Sequence, residues 1–150
     1  FNLNPAGGQG HHRRQMGPGM IPGRALVEGE PPSADPPAEE VLYSTMGLSF
    51  WGGIDPQTGI VIDTMHPLHG RCVSGKILAI PSGRGSCTGS QVLLELILNG
   101  IAPKAILIRD VDPILCVGAI VAEELFSSEL PKGIPTILCL GRDGFQSLAG

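Results

Sequence analysis

Three short, unbroken aliphatic runs dominate the second half of the chain: Lys76-Ile77-Leu78-Ala79-Ile80-Pro81, Ala105-Ile106-Leu107-Ile108-Arg109 and Pro135-Thr136-Ile137-Leu138-Cys139-Leu140. A run with no polar alternation has no face to offer water. Each therefore reads as a strand buried on both sides, the pattern of a parallel sheet rather than of a half-exposed hairpin. Two stretches of helix length separate them. Gln91 to Asn99 is stopped by Gly100. Asp112-Pro113 opens a second helix that runs to about Ser127, with Asp112 as N-cap and Pro113 at the first helical position. The order strand–helix–strand–helix–strand requires crossover connections, which are right-handed in parallel sheets.

The first half reads as strands and turns. Arg24 to Gly29 is a first strand, and Glu40 to Ser44 a second. Between them Pro31, Pro32, Pro36 and Pro37 forbid helix and ladder pairing alike, so that stretch is a loop. Phe50 to Gly59 is turn chemistry, Ile60 to Asp63 a short strand, and His66 to Gly70 a loop in which both histidines are expected in a surface turn. The fold class expected is α/β, a three-layer β/β/α domain with a parallel central sheet, over residues 23–150. Residues 1–22 lack periodicity and are rich in Gly, Pro and polar residues, so they read as a disordered linker or N-terminal extension. The chain begins with Phe1 rather than Met, as expected of a piece cut from a longer polypeptide.

Composition narrows the function. The net charge is -4 and the only basic cluster is His11-His12-Arg13-Arg14, so no nucleic-acid partner is expected, because phosphate neutralisation needs a basic patch. No apolar run reaches the length of a membrane span, and the N-terminus lacks the apolar region of a secretory signal. Cys72, Cys87, Cys116 and Cys139 form no C-x-x-C pair and no zinc-like spacing, so buried free thiols in the cytoplasm are expected, with no metal bound by this chain. Cys116 falls among Ile, Val and Ala on the second helix and is expected in the core. Phe50 and Trp51 are expected to anchor the core or to contact a neighbouring domain.

The stretch with chemical potential is Ser82-Gly83-Arg84-Gly85-Ser86-Cys87-Thr88-Gly89-Ser90, between a buried strand and a helix. Open α/β sheets place ligands at the carboxyl ends of their strands, and a helix N-terminus offers unpaired N–H groups to an anion. Arg84 adds a charge that can grip a carboxylate, and Ser86, Thr88 and Ser90 add hydroxyls. The spacing is neither a Walker A loop nor a dinucleotide fingerprint. The same glycines and hydroxyls equally serve a plain capped helix, and spacing alone does not separate the two readings.

A wider pattern does. Leu48-Ser49-Phe50-Trp51-Gly52-Gly53-Ile54-Asp55-Pro56-Gln57-Thr58-Gly59, then His66-Pro67-Leu68 and Gly70, Gly75-Lys76, Pro81-Ser82-Gly83-Arg84-Gly85-Ser86, Asp112-Pro113-Ile114 and Gly118-Ala119-Ile120 together resemble the swivel domain of the aconitase X family over about residues 23–140. That family has a branch of cis-3-hydroxy-L-proline dehydratases, in which the swivel domain is fused after the large domain. Its other branch, the phosphomevalonate dehydratases, keeps the swivel domain as a separate small subunit. The family is similar to aconitase, whose swivel domain carries a catalytic serine in a Gly-Ser-Ser-Arg motif.

The resemblance implies a hydro-lyase in which Ser86 is the catalytic base, with Arg84, Gly85, Cys87, Thr88 and Ser90 binding a small carboxylate substrate. Cys87 stands where the family usually has Ser or Thr, which puts in question an essential hydroxyl at that position. Arg84 is open to two roles, stabilising the serine alkoxide or holding the carboxylate. The resemblance also implies a large catalytic domain as partner, in the same polypeptide or as a separate subunit, with an iron or iron–sulfur cluster there and none in this chain. cis-3-Hydroxy-L-proline is the expected substrate and mevalonate 5-phosphate the alternative. A non-catalytic anion-binding or structural module is the alternative of a different class.

Overall fold

The computed structural model describes residues 23–29, 40–83 and 88–149. Its strands are β1 (Arg24–Val27), β2 (Val41–Tyr43), β3 (Ile77–Ile80), β4 (Ala105–Ile108) and β5 (Thr136–Cys139). Helices α1 (Thr88–Leu98), α2 (Pro113–Phe126) and α3 (Gly141–Ser147) follow β3, β4 and β5, and a 3-10 turn at Ser127–Glu129 closes α2. The five strands form one sheet in the order β1-β5-β4-β3-β2. The four strands from β2 to β5 are parallel, and β1 joins β5 antiparallel at the edge. This is the mixed α/β class expected, with the parallel sheet at its centre.

The three aliphatic runs are the three inner strands, and their alternation shows why they carry no polar residues. Leu78, Ile80, Ile106, Ile108 and Ile137 face a core shared with Val92, Leu93, Leu96 and Ile97 of α1 and with Leu115, Ala119 and Ala122 of α2. Ile77, Ala79, Ala105, Leu107 and Leu138 face the other way, against Phe145 of α3 and Tyr43. Removing both faces from water stabilises the sheet by about 25 cal/mol for each Å² of apolar surface buried.

Three elements depart from the expectation. The short strand expected at Ile60 to Asp63 is reduced to isolated antiparallel bridges, Ile54 with Val61 and Ile60 with Cys72. Residues 48–73 are instead a layer of bridged turns whose Leu48, Phe50, Ile54, Val61, Leu68 and Val73 enter the same core as α1 and α2. A glycine at φ 73, Gly59, closes one of these turns. Helix α3 was not expected, because Gly141 and Gly144 lower its intrinsic propensity. Tertiary packing decides the matter: Phe145 is 3% exposed and its ring lies 5.2 Å from that of Tyr43. Helix α1 begins at Thr88, three residues before Gln91. Its first turn is pressed against α2, where Gly118 leaves room for the Ser90 carbonyl.

His66 also differs from expectation. Pro67 and Gly70 do mark a turn, and His69 is exposed, but the His66 ring is buried. Its Nδ1 accepts from the Leu68 N–H at 3.1 Å, which leaves Nε2 to donate to the Met46 carbonyl at 3.1 Å. Those two bonds fasten residues 66–68 to the loop after β2, and the buried ring satisfies both of its nitrogens.

Candidate functional site

β3 and β4 end on the same edge of the sheet, and α1 and α2 begin there. The junction after β3 is held from several sides. The Pro81 carbonyl accepts from both Arg109 N–H and Asp110 N–H at 3.0 Å, and the Ser82 carbonyl accepts from Leu48 N–H at 3.2 Å. Gly83 then forms a parallel bridge with Leu48. The loop from β3 therefore leaves the sheet in a fixed direction.

Asp112 completes this anchorage. One oxygen, Oδ1, accepts from the N–H groups of Ile114 (3.0 Å) and Leu115 (3.3 Å) and caps α2. The other, Oδ2, accepts from Gly83 N–H at 2.8 Å. The carboxylate is 7% exposed and receives three backbone donors, so one side chain joins the start of α2 to the end of the β3 strand. A Cβ at Gly83 would lie 2.8 Å from Oδ2, so the close approach needs glycine there. Sequence reading finds the cap, because Asp-Pro before an apolar helix is a local signal. It misses the second bond, because Gly83 is 29 residues away.

On the far side of the loop, Thr88 and Ser90 are half-buried in the first turn of α1. They belong to a helix start rather than to the irregular loop expected. Arg84, Gly85, Ser86 and Cys87, the remaining residues of the expected site, lie outside the described residues. What the structure fixes is the pair of ends, Gly83 and Thr88, between which those four residues run.

Helix packing bears directly on that second end. A Cβ on Gly118 would sit 2.6 Å from the Ser90 carbonyl oxygen and 3.2 Å from Ser90 Cα. In an open helix Gly→Ala gains about 1 kcal/mol, but overpacking against backbone costs about 1–3 kcal/mol. Gly118→Ala is therefore expected to destabilise the domain and to displace the first turn of α1, read as a lower Tm and as shifted amide resonances at residues 88–91.

Arg109 and Asp110, at the end of β4, pair on the surface through Nη2 and Oδ2 at 2.8 Å. The hydrogen bond from Arg109 holds the Asp110 carboxyl below the ordinary carboxylate range; desolvation opposes it, and the charges of Arg109 and Arg142 add to the lowering. A carboxylate with a depressed folded-state pKa contributes stability above its unfolded pKa, and that contribution fades as pH falls through the folded value. Both side chains are exposed, so the effect on stability is small. Arg109→Ala is expected to raise the Asp110 pKa toward its ordinary value in an NMR titration.

The chemistry of the thiols is limited. Burial is the main cause that pushes the Cys116 thiol up, followed by the Asp112 charge, so Cys116 is a thiol rather than a thiolate at neutral pH. Cys72, Cys116 and Cys139 are free and partly buried. Among the described residues no three His, Cys, Asp or Glu side chains come together to hold a metal ion. The donors described in this chain thus do not fit an iron centre. Among the described residues no helix is long and apolar enough to cross a membrane.

Beside the start of α1 lies an open cleft of about 480 Å³. Trp51, Ile54 and Ile62 line one side and Thr88, Gln91 and Glu95 the other. Phe50 is 1% exposed and belongs to the core, whereas its neighbour Trp51 is 62% exposed.

Comparison with known proteins accounts for this architecture. Residues 21–150 match the family model of the aconitase X swivel domain. The chain is 56% identical over 130 residues to the cis-3-hydroxy-L-proline dehydratase of Pseudomonas aeruginosa, a match covering 87% of this chain and 20% of that protein. It is 54% identical over 82 residues to the phosphomevalonate dehydratase small subunit of Methanothermobacter thermautotrophicus, covering 55% of this chain and 63% of that one. The crystal structure of Thermococcus kodakaraensis aconitase X in its holo-form superimposes with a TM-score of 0.62 at 34% identity, covering 79% of this chain and 78% of that one. The chain thus spans about a fifth of the length of the hydroxyproline dehydratase it matches. By sequence over 130 residues, by family model and by fold, the chain belongs to the aconitase X swivel domain family.

Proposed function

We propose that this domain supplies the base of an aconitase X-type dehydratase, that Ser86 is that base, and that cis-3-hydroxy-L-proline is the substrate. The observation that carries the proposal is the anchored junction: Gly83, tethered to Asp112, and Thr88, at the first turn of an 11-residue helix, hold the ends of a four-residue loop containing Arg84 and Ser86. The two anchored ends lie at the carboxyl edge of a parallel sheet and at a helix N-terminus, where α/β sheets bind anionic ligands.

The reaction removes a proton from the carbon next to a carboxylate and a hydroxyl from the neighbouring carbon. A serine hydroxyl is a poor base at its ordinary pKa. It needs a positive field that favours the alkoxide and exclusion of water, and Arg84 and the N-terminal N–H groups of α1 are the sources of that field in this chain. The departing hydroxyl needs a Lewis acid, which an iron or iron–sulfur centre in the large catalytic domain would supply when bound. A complete enzyme then comprises this domain and that larger partner. The 20% coverage of the Pseudomonas aeruginosa dehydratase supports a fused arrangement, and the match to archaeal small subunits supports the two-chain alternative with mevalonate 5-phosphate.

The two substrates separate the readings. The complete enzyme is assayed with cis-3-hydroxy-L-proline and with mevalonate 5-phosphate, following loss of each by chromatography. Consumption of the hydroxyproline alone is expected. Consumption of the phosphomevalonate alone overturns the substrate assignment, and consumption of neither by an iron-loaded enzyme overturns the dehydratase reading.

A further inference from the structure

Residues 48–73 form a layer with two unlike sides. Phe50, Ile54 and Val61 are 0–1% exposed and face the core, while Trp51, Ile62 and Met65 are 62%, 47% and 82% exposed. Single exposed apolar residues are ordinary on a protein surface. Here, however, Trp51 and Ile62 line one open cleft together with Ile54. The opposite side of that cleft includes Thr88, two residues after Ser86 in the sequence. Among the described residues that line it the cleft is mainly apolar, and Glu95 is the one charged residue there. An indole that is more than half exposed at the rim of such a cleft is the type of residue that dominates protein interfaces.

We propose that the surface around Trp51 and Ile62, with the cleft they line and the exposed Met65 three residues further along the chain, is where the large catalytic domain docks. It would insert an apolar protrusion flanked by a Lys or Arg that meets Glu95. The proposal rests on the dehydratase reading for the existence of that partner. One observation argues for a large partner and a second chooses this face. The Pseudomonas aeruginosa dehydratase is about five times as long as the segment it shares with this chain, so most of such an enzyme lies outside a domain of this kind. The cleft also runs up to the helix start that follows the serine loop, so a partner seated there closes the site from water in the same contact. The rival apolar pair, Val117 and Ile120, exposed on α2, lines neither this cleft nor the one between Gly100 and Pro135.

Hydroxyl-radical footprinting of the complete enzyme tests this, with oxidation of Trp51 and Met65 measured against a synthetic peptide of residues 48–66. Both side chains are expected to be protected about tenfold or more, and Trp51→Glu is expected to release Met65 to the peptide rate, because loss of a central interface Trp weakens docking by at least that factor. Met65→Glu, at an 82% exposed site, provides a second variant that should release Trp51 without affecting the fold. Oxidation of Trp51 and Met65 at the peptide rate in the wild-type enzyme overturns the proposal, and so does protection confined to Val117 and Ile120. The Ser86→Ala enzyme should show the same protection as wild type. Failure of the base assignment would therefore appear in turnover alone, and failure of the docking assignment in the footprint alone.

Discussion

Replacing Ser86 by Ala in the complete enzyme is expected to lower kcat by about a thousandfold or more, the range over which a positioned general base acts. KM should change little, because the removed oxygen acts on the carbon-bound proton rather than on the substrate carboxylate. Thermal stability should be unchanged, since the four residues 84–87 lie between two independently anchored ends, Gly83 on Asp112 and Thr88 in α1. Iron content should be unchanged as well, because the centre is proposed to lie in the large catalytic domain and a serine hydroxyl is not among the common iron ligands. Ser86→Cys is the informative companion. A thiol is more acidic than a hydroxyl, so partial activity with a lower pH optimum is expected if the side chain accepts a proton. No recovery is expected if the hydroxyl serves only to cap the helix.

Asp112→Ala is the second large effect, and it acts on stability and activity together. Loss of an N-cap costs about 1 kcal/mol. The Gly83 N–H, left without its acceptor in a partly buried position, adds about 1–3 kcal/mol. The sum, about 2–4 kcal/mol, should lower Tm by several degrees. Asp112→Asn separates the two roles. Its amide oxygen can still cap α2, but the NH2 group then faces the Gly83 donor, so about a third to a half of the stability loss is expected. The fall in kcat should stay close to that of Asp112→Ala. If Asp112 were only a helix cap, kcat would follow stability in both variants and the Asn variant would be near wild type in each. Chemical denaturation and steady-state kinetics on the same preparations decide between them.

These two residues also show what a sequence can and cannot disclose. The inner strands were legible because burial on both faces removes every polar residue from Ile77–Ile80 and Ala105–Ile108. The α2 boundary was legible because Asp112-Pro113 is a local signal, and the cap is present. Where local signals and tertiary contacts disagree, the tertiary contacts win. Thr88 and Ser90 look like loop in a glycine-rich stretch, yet they are helical because α1 packs onto the bare backbone at Gly118. Gly141 and Gly144 argue against a helix that Phe145 nonetheless anchors. His66 sits in a turn but is buried, because its partners are Leu68 on one side and Met46, twenty residues earlier, on the other. The serine loop itself was singled out by the order of several separate motifs. The tether from Asp112 to Gly83 was invisible until the fold brought β3 and α2 together, since no periodicity links positions 29 apart.

Everything proposed for the catalytic step depends on Ser86 taking the proton. The most direct measurement is exchange of the substrate α-hydrogen with solvent, followed by NMR in D2O for the complete enzyme and its Ser86→Ala variant. The wild-type enzyme should wash deuterium into unreacted substrate or retain solvent deuterium in the reverse hydration. The variant should bind substrate with the same affinity and show no exchange above the rate without enzyme. Exchange at the wild-type rate in the Ser86→Ala enzyme would mean that another group accepts the proton, and the assignment would be wrong.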